Sequence, residues 1–301
     1  MPNIYQNIDS NKRETAVVMV LFISIVTFVG WFVGEYFGGQ GFGVPVAGLA
    51  VLFSGISSFV SFYASDQMVL AISKASEVIV EDNHDLHNLV ENMSIASGIP
   101  KPKIYMIEDS AMNAFATGRD PDHSVICFTR GIVYGLEKRE LEGVIAHEMS
   151  HIGNRDTLLM TVVSVLVGTL AILSDLFTRG VFYGGRRSRR GSSDIGGVLF
   201  LIGLIFLILS PLIATLIKMA ISRNREFLAD STAALITRYP KGLADALAKL
   251  ALDKQVLEVS NSATAHLYID DPVVDKTNSF FANLFNTHPP IEERIQRLME
   301  M

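Results

Sequence analysis

Long apolar blocks alternate with polar stretches along this chain. Four blocks contain no charged residue: Ala16–Val33, Val44–Ala64, Leu158–Ser174 and Val198–Ile217. Each is close to the ~20 residues that a helix needs to cross the hydrocarbon core of a bilayer. The pattern predicts an α-helical membrane protein in which the first, second and fourth blocks span the bilayer. The third block is short for a span, unless it begins within the helix before it.

Basic residues near the block ends predict the orientation, because cytoplasmic loops are enriched in lysine and arginine. Lys12 and Arg13 precede the first block, whereas the loop 34–43 has neither residue type. This places the N-terminus and residues 65–157 in the cytoplasm. The loop 175–197 carries five arginines, which disagrees with both later blocks crossing the bilayer. Either this loop is translocated despite its charge, or the third and fourth blocks form a re-entrant or protein-buried pair.

The polar stretches predict a catalytic unit of mixed α and β structure. Runs rich in apolar and β-branched residues predict three strands: Lys103–Ile107, Asn113–Thr117 and Ser124–Phe128. Apolar residues at intervals of three and four predict helices. These helices are Ser65–Val80 as a continuation of the second block, Leu86–Ser97, Glu137–Gly153, Arg223–Thr237, Lys241–Ala251 and Pro290–Met299.

These elements divide the chain into four parts. A tail and a two-span hairpin occupy residues 1–64, and a catalytic α+β region occupies 65–157. A second hydrophobic pair follows at 158–222, and a second catalytic part occupies 223–301. In both topologies of the hydrophobic pair the chain returns to the side that it left, so the two catalytic parts lie on the same side of the membrane.

The composition agrees with a membrane protein and excludes some kinds of partner and metal site. Charged residues make up only 19% of the chain, against roughly 25% in soluble proteins. The net charge of −6 gives a polyanion no overall attraction, so we expect no nucleic-acid partner. A single cysteine, Cys127, excludes an intrachain disulfide and a cysteine-based metal site. The densest basic cluster is interpreted as a solvated or headgroup-facing loop: Arg186, Arg187, Arg189 and Arg190.

The helix predicted over Glu137–Gly153 contains the motif His-Glu-x-x-His. His147 and His151 are four residues apart, so their imidazoles lie on one helix face and can bind one ion. Imidazole nitrogen is a preferred zinc ligand. Glu148 follows the first histidine and is suited to act as a general base on water held near the ion. The alternative is a surface helix that carries two unrelated histidines.

A catalytic zinc ion takes three protein ligands and leaves one position open. Glu226 is the candidate for the third ligand. Asp230, four residues later on the same predicted helix, could accept the free ring N–H of a ligating histidine. The alternative is a solvent-exposed acidic pair that forms salt bridges with Arg223 and Arg225.

Several motifs together resemble one family. They are His147-Glu148-Met149-Ser150-His151, Glu226-Phe227-Leu228-Ala229-Asp230, Asn113-Ala114-Phe115-Ala116-Thr117-Gly118 and Thr287-His288-Pro289-Pro290-Ile291-Glu292-Glu293-Arg294. With the two N-terminal spans, they make the chain similar to the HtpX family of membrane metallopeptidases, which are relatives of the CAAX prenyl endopeptidases. The similarity extends over almost the whole chain.

This resemblance implies an α+β zincin domain of the gluzincin type, with one Zn²⁺ per chain, at the cytoplasmic face of the bacterial inner membrane. It also implies proteolytic quality control of misfolded or damaged membrane proteins, linked to heat or envelope stress. By similarity to the family pattern, His288 is a candidate donor to the developing oxyanion. The alternative for His288 is simple packing in a turn before Pro289-Pro290.

The strand at Asn113–Gly118 is a candidate for substrate binding. An edge strand can pair with an extended peptide and read its main chain, which tolerates many side chains. Asn113, Ala114, Phe115 and Ala116 would then line the substrate. The alternative is an ordinary hairpin without this role.

The catalytic helix is predicted to end only a few residues before the third block, which places the zinc close to the membrane surface. We therefore expect membrane proteins or their juxtamembrane segments as substrates, and the lipid bilayer as the surroundings. Two other functions stay open, a metal transporter and a prenyl-type endopeptidase of narrow specificity. The loop Ser260–Asp275 could also cover the cleft and keep the enzyme latent.

Overall fold

The fold is taken from a computed structural model, which describes residues 4–184, 222–253, 255, 257, 264, 267–269 and 289–301. The predicted fourth block, most of the arginine-rich loop, His288 and most of the loop Ser260–Asp275 lie outside the described residues.

Two long antiparallel helices form the N-terminal hairpin. Helix α1 covers Ile4–Gly38 and α2 covers Gly43–Ile72. Residues Ile8–Tyr36 of α1 and the whole of α2 are long and apolar enough to cross a membrane. The carboxylate of Glu35 accepts hydrogen bonds of 2.9 Å from the backbone N–H groups of Gly41 and Gly43. These bonds satisfy N–H groups at the start of α2 and close the turn.

Helix α2 ends earlier than the sequence predicts, because the expected helix Ser65–Val80 stops at Ile72. Lys74 adopts a left-handed conformation with φ 51°, and the N–H of Ala75 reaches back to the carbonyl of Leu70 at 3.0 Å. This is the pattern of a helix C-terminus. The next two residues form the short strand β1, Ser76–Glu77, so the prediction of a continuous helix here is wrong.

A four-stranded sheet lies beyond the hairpin, in the order β1-β2-β4-β3. Strand β2 pairs in parallel with β4, and β3 pairs antiparallel with β4, so β3 lies at an edge of the sheet. All three predicted strands are present within one residue of their expected ends. Their bounds are Lys103–Ile107 for β2, Ala114–Gly118 for β3 and Ser124–Thr129 for β4.

Three helices pack on or follow the sheet before the second hydrophobic region. They are α3, His84–Ser97, α4, Arg130–Gly135, and α5, Lys138–Asn154. Helix α5 begins with a capping box between Glu137 and Glu140, which satisfies N–H groups at its start. Its central residues belong to the main hydrophobic core with α3 and the sheet.

The third apolar block forms its own helix, α6, Asp156–Gly184. Arg155 is left-handed, with φ 63°, and α5 and α6 meet there at an angle of 83°. The third block therefore does not begin within the catalytic helix, which was one of the expectations from the sequence. The first turns of α6 are buried, and they pack against α1, α2 and β3.

Three further helices complete the described fold: α7, Arg223–Thr237, α8, Pro240–Leu252, and α9, Ile291–Met299. Helices α7 and α8 pack along α5, and α9 packs on α7 and α8. Helix α5 is therefore enclosed by the sheet on one side and by the C-terminal helices on the other, which buries its histidine face.

Candidate metal centre

Two histidines of α5 meet on the buried face of that helix. His147 and His151 project from the same side because they are four residues apart. Their Nε2 atoms lie 3.2 Å apart, and both side chains are buried. The structure thus brings together the two imidazoles that the sequence motif singled out.

A carboxylate from α7 completes this cluster. Glu226 places Oε1 3.5 Å from Nε2 of His151 and Oε2 3.7 Å from Nε2 of His147. Ligand atoms arranged tetrahedrally at about 2.0–2.1 Å from zinc lie roughly 3.3–3.4 Å from one another. Each of the three side chains offers one ligand atom within 4.8 Å of the others. The set therefore has the spacing and the atom types that hold a zinc ion.

Each histidine also has a carboxylate at its other ring nitrogen. Nδ1 of His147 lies 3.0 Å from Oδ1 of Asp230, and Nδ1 of His151 lies 3.0 Å from Oδ2 of Asp156. A carboxylate accepts the Nδ1–H and leaves Nε2 with its lone pair. With both rings neutral, two lone pairs would face each other across 3.2 Å, and a bound cation would remove their repulsion. This arrangement fits a metal site.

A buried arginine from α9 holds the carboxylate of Asp230. Arg294 donates from Nε to Oδ2 at 2.9 Å and from Nη2 to Oδ1 at 2.7 Å, and its Nη1 lies 3.5 Å from Oε2 of Glu226. Burial alone raises the pKa of Asp230, but the charge and hydrogen bonds of Arg294, together with His147, lower it to about 2. Asp230 is therefore an ionised acceptor for His147.

Glu148 lies beside the cluster and is buried. The backbone N–H of Ala116 on β3 interacts with its carboxylate, so Glu148 lies on the side of α5 that faces β3. Burial raises the pKa of Glu148, and the neighbouring His147 and His151 oppose that rise only in part. A carboxylate in this position can take a proton from water and return it to a leaving group.

The edge of β3 that does not pair with β4 faces the cluster, and residues 267–269 contact this edge. The carbonyl of Ala114 accepts a hydrogen bond of 3.0 Å from the N–H of Ile269. The ring of Phe115 packs edge-to-face against Tyr268, with 5.0 Å between centroids. The side-chain oxygen of Asn113 accepts from the N–H of Ala114 at 3.0 Å. An extended peptide that adds to this edge therefore meets residues 267–269.

Two residues of the site, Asp156 and Arg294, were not predicted from the sequence as parts of it. Asp156 was not considered, although an acidic residue five positions after the second histidine lies within reach once the helix ends. Arg294 was noted only as part of a motif. The signal for it was a charge on the apolar side of the last helix, between Ile291, Ile295 and Leu298. The predicted oxyanion donor His288 lies outside the described residues.

Comparison with known proteins agrees with this site. Residues 81–301 match peptidase family M48. A protease HtpX homolog of Thermoanaerobacter pseudethanolicus is 43% identical over 300 residues, which cover 99% of this chain and 98% of that protein. A protease HtpX homolog of Lactobacillus helveticus is 39% identical over 305 residues, which cover 99% of this chain and all of that protein.

A solved structure shares the fold. Ste24p of S. mikatae superposes with a TM-score of 0.52 at 17% identity, over 94% of this chain and 62% of the Ste24p chain. This chain thus spans about 62% of the length of Ste24p, and the likeness concerns the fold alone. The family match and the similarity to HtpX homologs over the full length confirm the resemblance seen in the sequence motifs. The chain belongs to peptidase family M48 and is a metalloprotease similar to HtpX.

Proposed function

We propose that this metalloprotease uses one zinc ion, held by His147, His151 and Glu226, to cleave misfolded or damaged membrane proteins. The observation that carries the proposal is the pair of Nε2 atoms 3.2 Å apart, with a Glu226 oxygen 3.5 Å from one of them. Both rings have their Nδ1 atoms on carboxylates, so both present a lone pair to the same point.

The residues around this point have separate tasks. Zinc, when bound, polarises the scissile carbonyl and makes water more acidic. Glu148 takes the proton of the attacking water and delivers it to the leaving amine. Asp230 orients His147 through its Nδ1 atom, and Arg294 keeps Asp230 ionised. His288 is the proposed donor to the oxyanion.

Substrate peptides are proposed to bind in extended form along β3, at Asn113, Ala114, Phe115 and Ala116, where they would replace the contacts of Ile269 and Tyr268 with this edge. The N–H of Ala116 points toward Glu148, so a peptide on this edge lies next to the proposed base. Pairing through the main chain suits an enzyme that cleaves many different sequences.

The position of the site supports membrane proteins as substrates. The side chain of Asn11, at the start of the first candidate span, donates to the carbonyl of Asn154 at 2.9 Å, at the end of the catalytic helix. The site is therefore within a few residues of the membrane hairpin. The basic residues Lys12 and Arg13 support a cytoplasmic location of this end, at the bacterial inner membrane, and the similarity to HtpX proteases supports quality control.

The test is cleavage of one membrane protein in two folding states. The full chain is reconstituted with zinc into liposomes that contain a helical membrane protein, either native or destabilised by a core substitution. We expect fragments from the destabilised form only, and none after chelation or with the Glu148→Gln variant, which keeps the shape of the side chain but cannot act as a base.

A short prenylated peptide is added as an alternative substrate. Cleavage of that peptide alone would contradict a role in quality control and would favour a prenyl-type endopeptidase of narrow specificity. Equal cleavage of native and destabilised protein would contradict selection for damaged substrates, and full activity without metal would contradict the zinc assignment.

A further inference from the structure

The first turns of α1 contact the corner at which α5 gives way to α6. Asn11 is 2% exposed although it is polar and lies at the start of a candidate membrane span. Its side-chain amide donates one N–H to the carbonyl of Asn154 at 2.9 Å and the other to Oδ1 of Asp156 at 2.6 Å. Both donors of the amide are thus used, and both partners belong to the corner next to the metal centre.

The second oxygen of Asp156 contacts the metal centre itself. Oδ2 of Asp156 lies 3.0 Å from Nδ1 of His151. A continuous path of two hydrogen bonds therefore joins Asn11 to a proposed zinc ligand. Asn11 and Asp156 are each only 2% exposed, so both hydrogen bonds of the path are largely shielded from solvent.

Helix α1 also holds the helix that carries the third proposed ligand. Glu14 lies 2.5 Å from Nη2 of Arg225, and Nε of Arg225 lies 3.5 Å from Oδ1 of Asp156. Arg225 directly precedes Glu226 on α7. The N-terminal part of α1 thus contacts both helices that carry proposed ligands, α5 through Asn11 and α7 through Glu14.

We propose that Asn11 is a positioning residue of the metal centre: the start of the first membrane helix orients Asp156, and Asp156 orients His151. The inference rests on the proposed function, in which His151 is a zinc ligand. Outer partners of metal-binding histidines fix the ring and raise its basicity. Loss of Asn11 removes a donor from the buried carboxylate of Asp156, which is unfavourable, and the other oxygen of that carboxylate contacts His151.

A different role for Asn11 would be purely structural. The carbonyl of Asn154 is one of the last groups of α5, which have no partner within the helix, and Asn11 caps it. If capping were the only role, loss of Asn11 would lower stability and leave the metal affinity unchanged. Metal affinity and stability therefore have to be measured separately.

The experiment compares two truncations on one helix. Thr15 is also 2% exposed, but its hydroxyl donates only to the carbonyl of Asn11, at 2.8 Å, so Thr15→Ala is the matched control for Asn11→Ala. Full-length protein in detergent is titrated with zinc against a competing chelator, and with cobalt to record the visible absorption of the bound ion. The melting temperature of the metal-free protein is measured in parallel.

We expect Asn11→Ala to weaken zinc binding by about 10-fold and to alter the cobalt spectrum, because outer-partner losses cost roughly 10–100-fold in metal affinity. We expect Asp156→Asn to weaken zinc binding by a factor in the same range. The double variant should bind zinc no more weakly than Asp156→Asn alone, because residues of one path are not additive. Thr15→Ala should bind zinc as the wild type does.

Wild-type zinc affinity in Asn11→Ala, or additive effects of Asn11 and Asp156, would overturn the inference and leave the zinc function intact. Absence of zinc binding by the wild type would overturn both. Asn11→Ser provides a second truncation if Asn11→Ala does not fold. Serine is too short to reach Asp156, and the same loss of zinc affinity is expected.

Discussion

Among single residues, substitution of Glu148 tests the proposed general-base chemistry most directly. It lies next to the ligand cluster, and its carboxylate interacts with the backbone N–H of Ala116. We expect Glu148→Ala to bind zinc and to lose peptide cleavage by at least 100-fold, the lower range for general-base catalysis. Zinc content by elemental analysis and cleavage rates are measured on the same preparation. Retained turnover, or loss of the metal, would contradict the assignment as base.

The role of Glu226 is tested by metal content. Its two oxygens lie 3.5 and 3.7 Å from the Nε2 atoms of the two histidines, and we expect zinc occupancy to fall sharply in Glu226→Ala, since two protein ligands hold zinc poorly. Glu142→Ala on α5 is the control, because Glu142 is not part of the cluster. Equal occupancy in both variants would mean that the third ligand lies elsewhere.

Substitution of Arg294 tests how much its buried ion pairs with the site contribute to the stability of the fold. It is fully buried, and within the described residues it forms ion pairs with Asp230 and Glu226. Arg294→Met leaves buried carboxylates without their cation, which typically costs about 3–5 kcal/mol. The control Arg297→Met lies on the same helix, but its partner Glu293 is exposed and its other contact is stacking over the ring of Phe227, so a loss of about 1 kcal/mol is expected.

Both variants are compared by thermal unfolding in the same detergent, without metal, so that zinc binding does not contribute. A melting temperature of Arg294→Met close to that of Arg297→Met would show that Asp230 and Glu226 do not depend on this cation.

Much of the site could be predicted from the sequence because its strongest signals are local. His147, Glu148 and His151 lie within one turn and a half of a helix, and a spacing of four residues is enough to place two rings together. Asp156 and Arg294 could not be predicted in this way. Asp156 depends on how α5 ends, and Arg294 depends on which helices the last segment packs against.

At the scale of elements, the corner between α5 and α6 depends on the backbone of Arg155. Its φ of 63° is a left-handed conformation, which costs a non-glycine residue roughly 1–2 kcal/mol, and a β-branched residue tolerates it least. We expect Arg155→Gly to keep or raise the melting temperature and Arg155→Val to lower it. Arg155→Lys is the control, since it keeps the same backbone preference. Equal melting of the glycine and valine variants would show that the corner is not held in this conformation.

The bounds of the strands were predicted more accurately than the end of α2, for a physical reason. Strands β2, β3 and β4 were predicted within one residue because each is a short apolar run between turn residues. The end of α2 was predicted eight residues too late, at Val80 instead of Ile72. The residues after Ile72 are compatible with a helix, and it is pairing of Ser76 with Met106, far along the chain, that makes them a strand.

At the scale of the whole molecule, the order of the strands and the docking of α1 on the site follow from tertiary contacts that no local pattern encodes. Asn11 and Asp156 are separated by 145 residues, yet they are hydrogen-bonded. The division of the chain into hairpin, catalytic region, hydrophobic pair and second catalytic part stays a prediction. In the described structure, residues from the first, second and last of these parts lie around one cluster.

In the proposed ligand set, the metal would cross-link distant parts of the chain. His147 and His151 belong to α5, whereas Glu226 belongs to α7, beyond the second hydrophobic region. A ligand that binds only the folded state stabilises it by about 2.7 kcal/mol at a concentration 100 times its Kd. Removal of zinc should therefore lower the melting temperature by several degrees and abolish cleavage, and zinc should restore both.

The variant Glu226→Ala separates this effect from general effects of the chelator. Without the third ligand the cross-link between α5 and α7 is broken, so the melting temperature of this variant should not respond to chelator or to added zinc, whereas Glu142→Ala should respond as the wild type does. A shift of equal size in Glu226→Ala would show that zinc stabilises the protein at another place. Because both ligand helices also contact the start of α1, the same measurement on Asn11→Ala should give a reduced shift, intermediate between the wild type and Glu226→Ala.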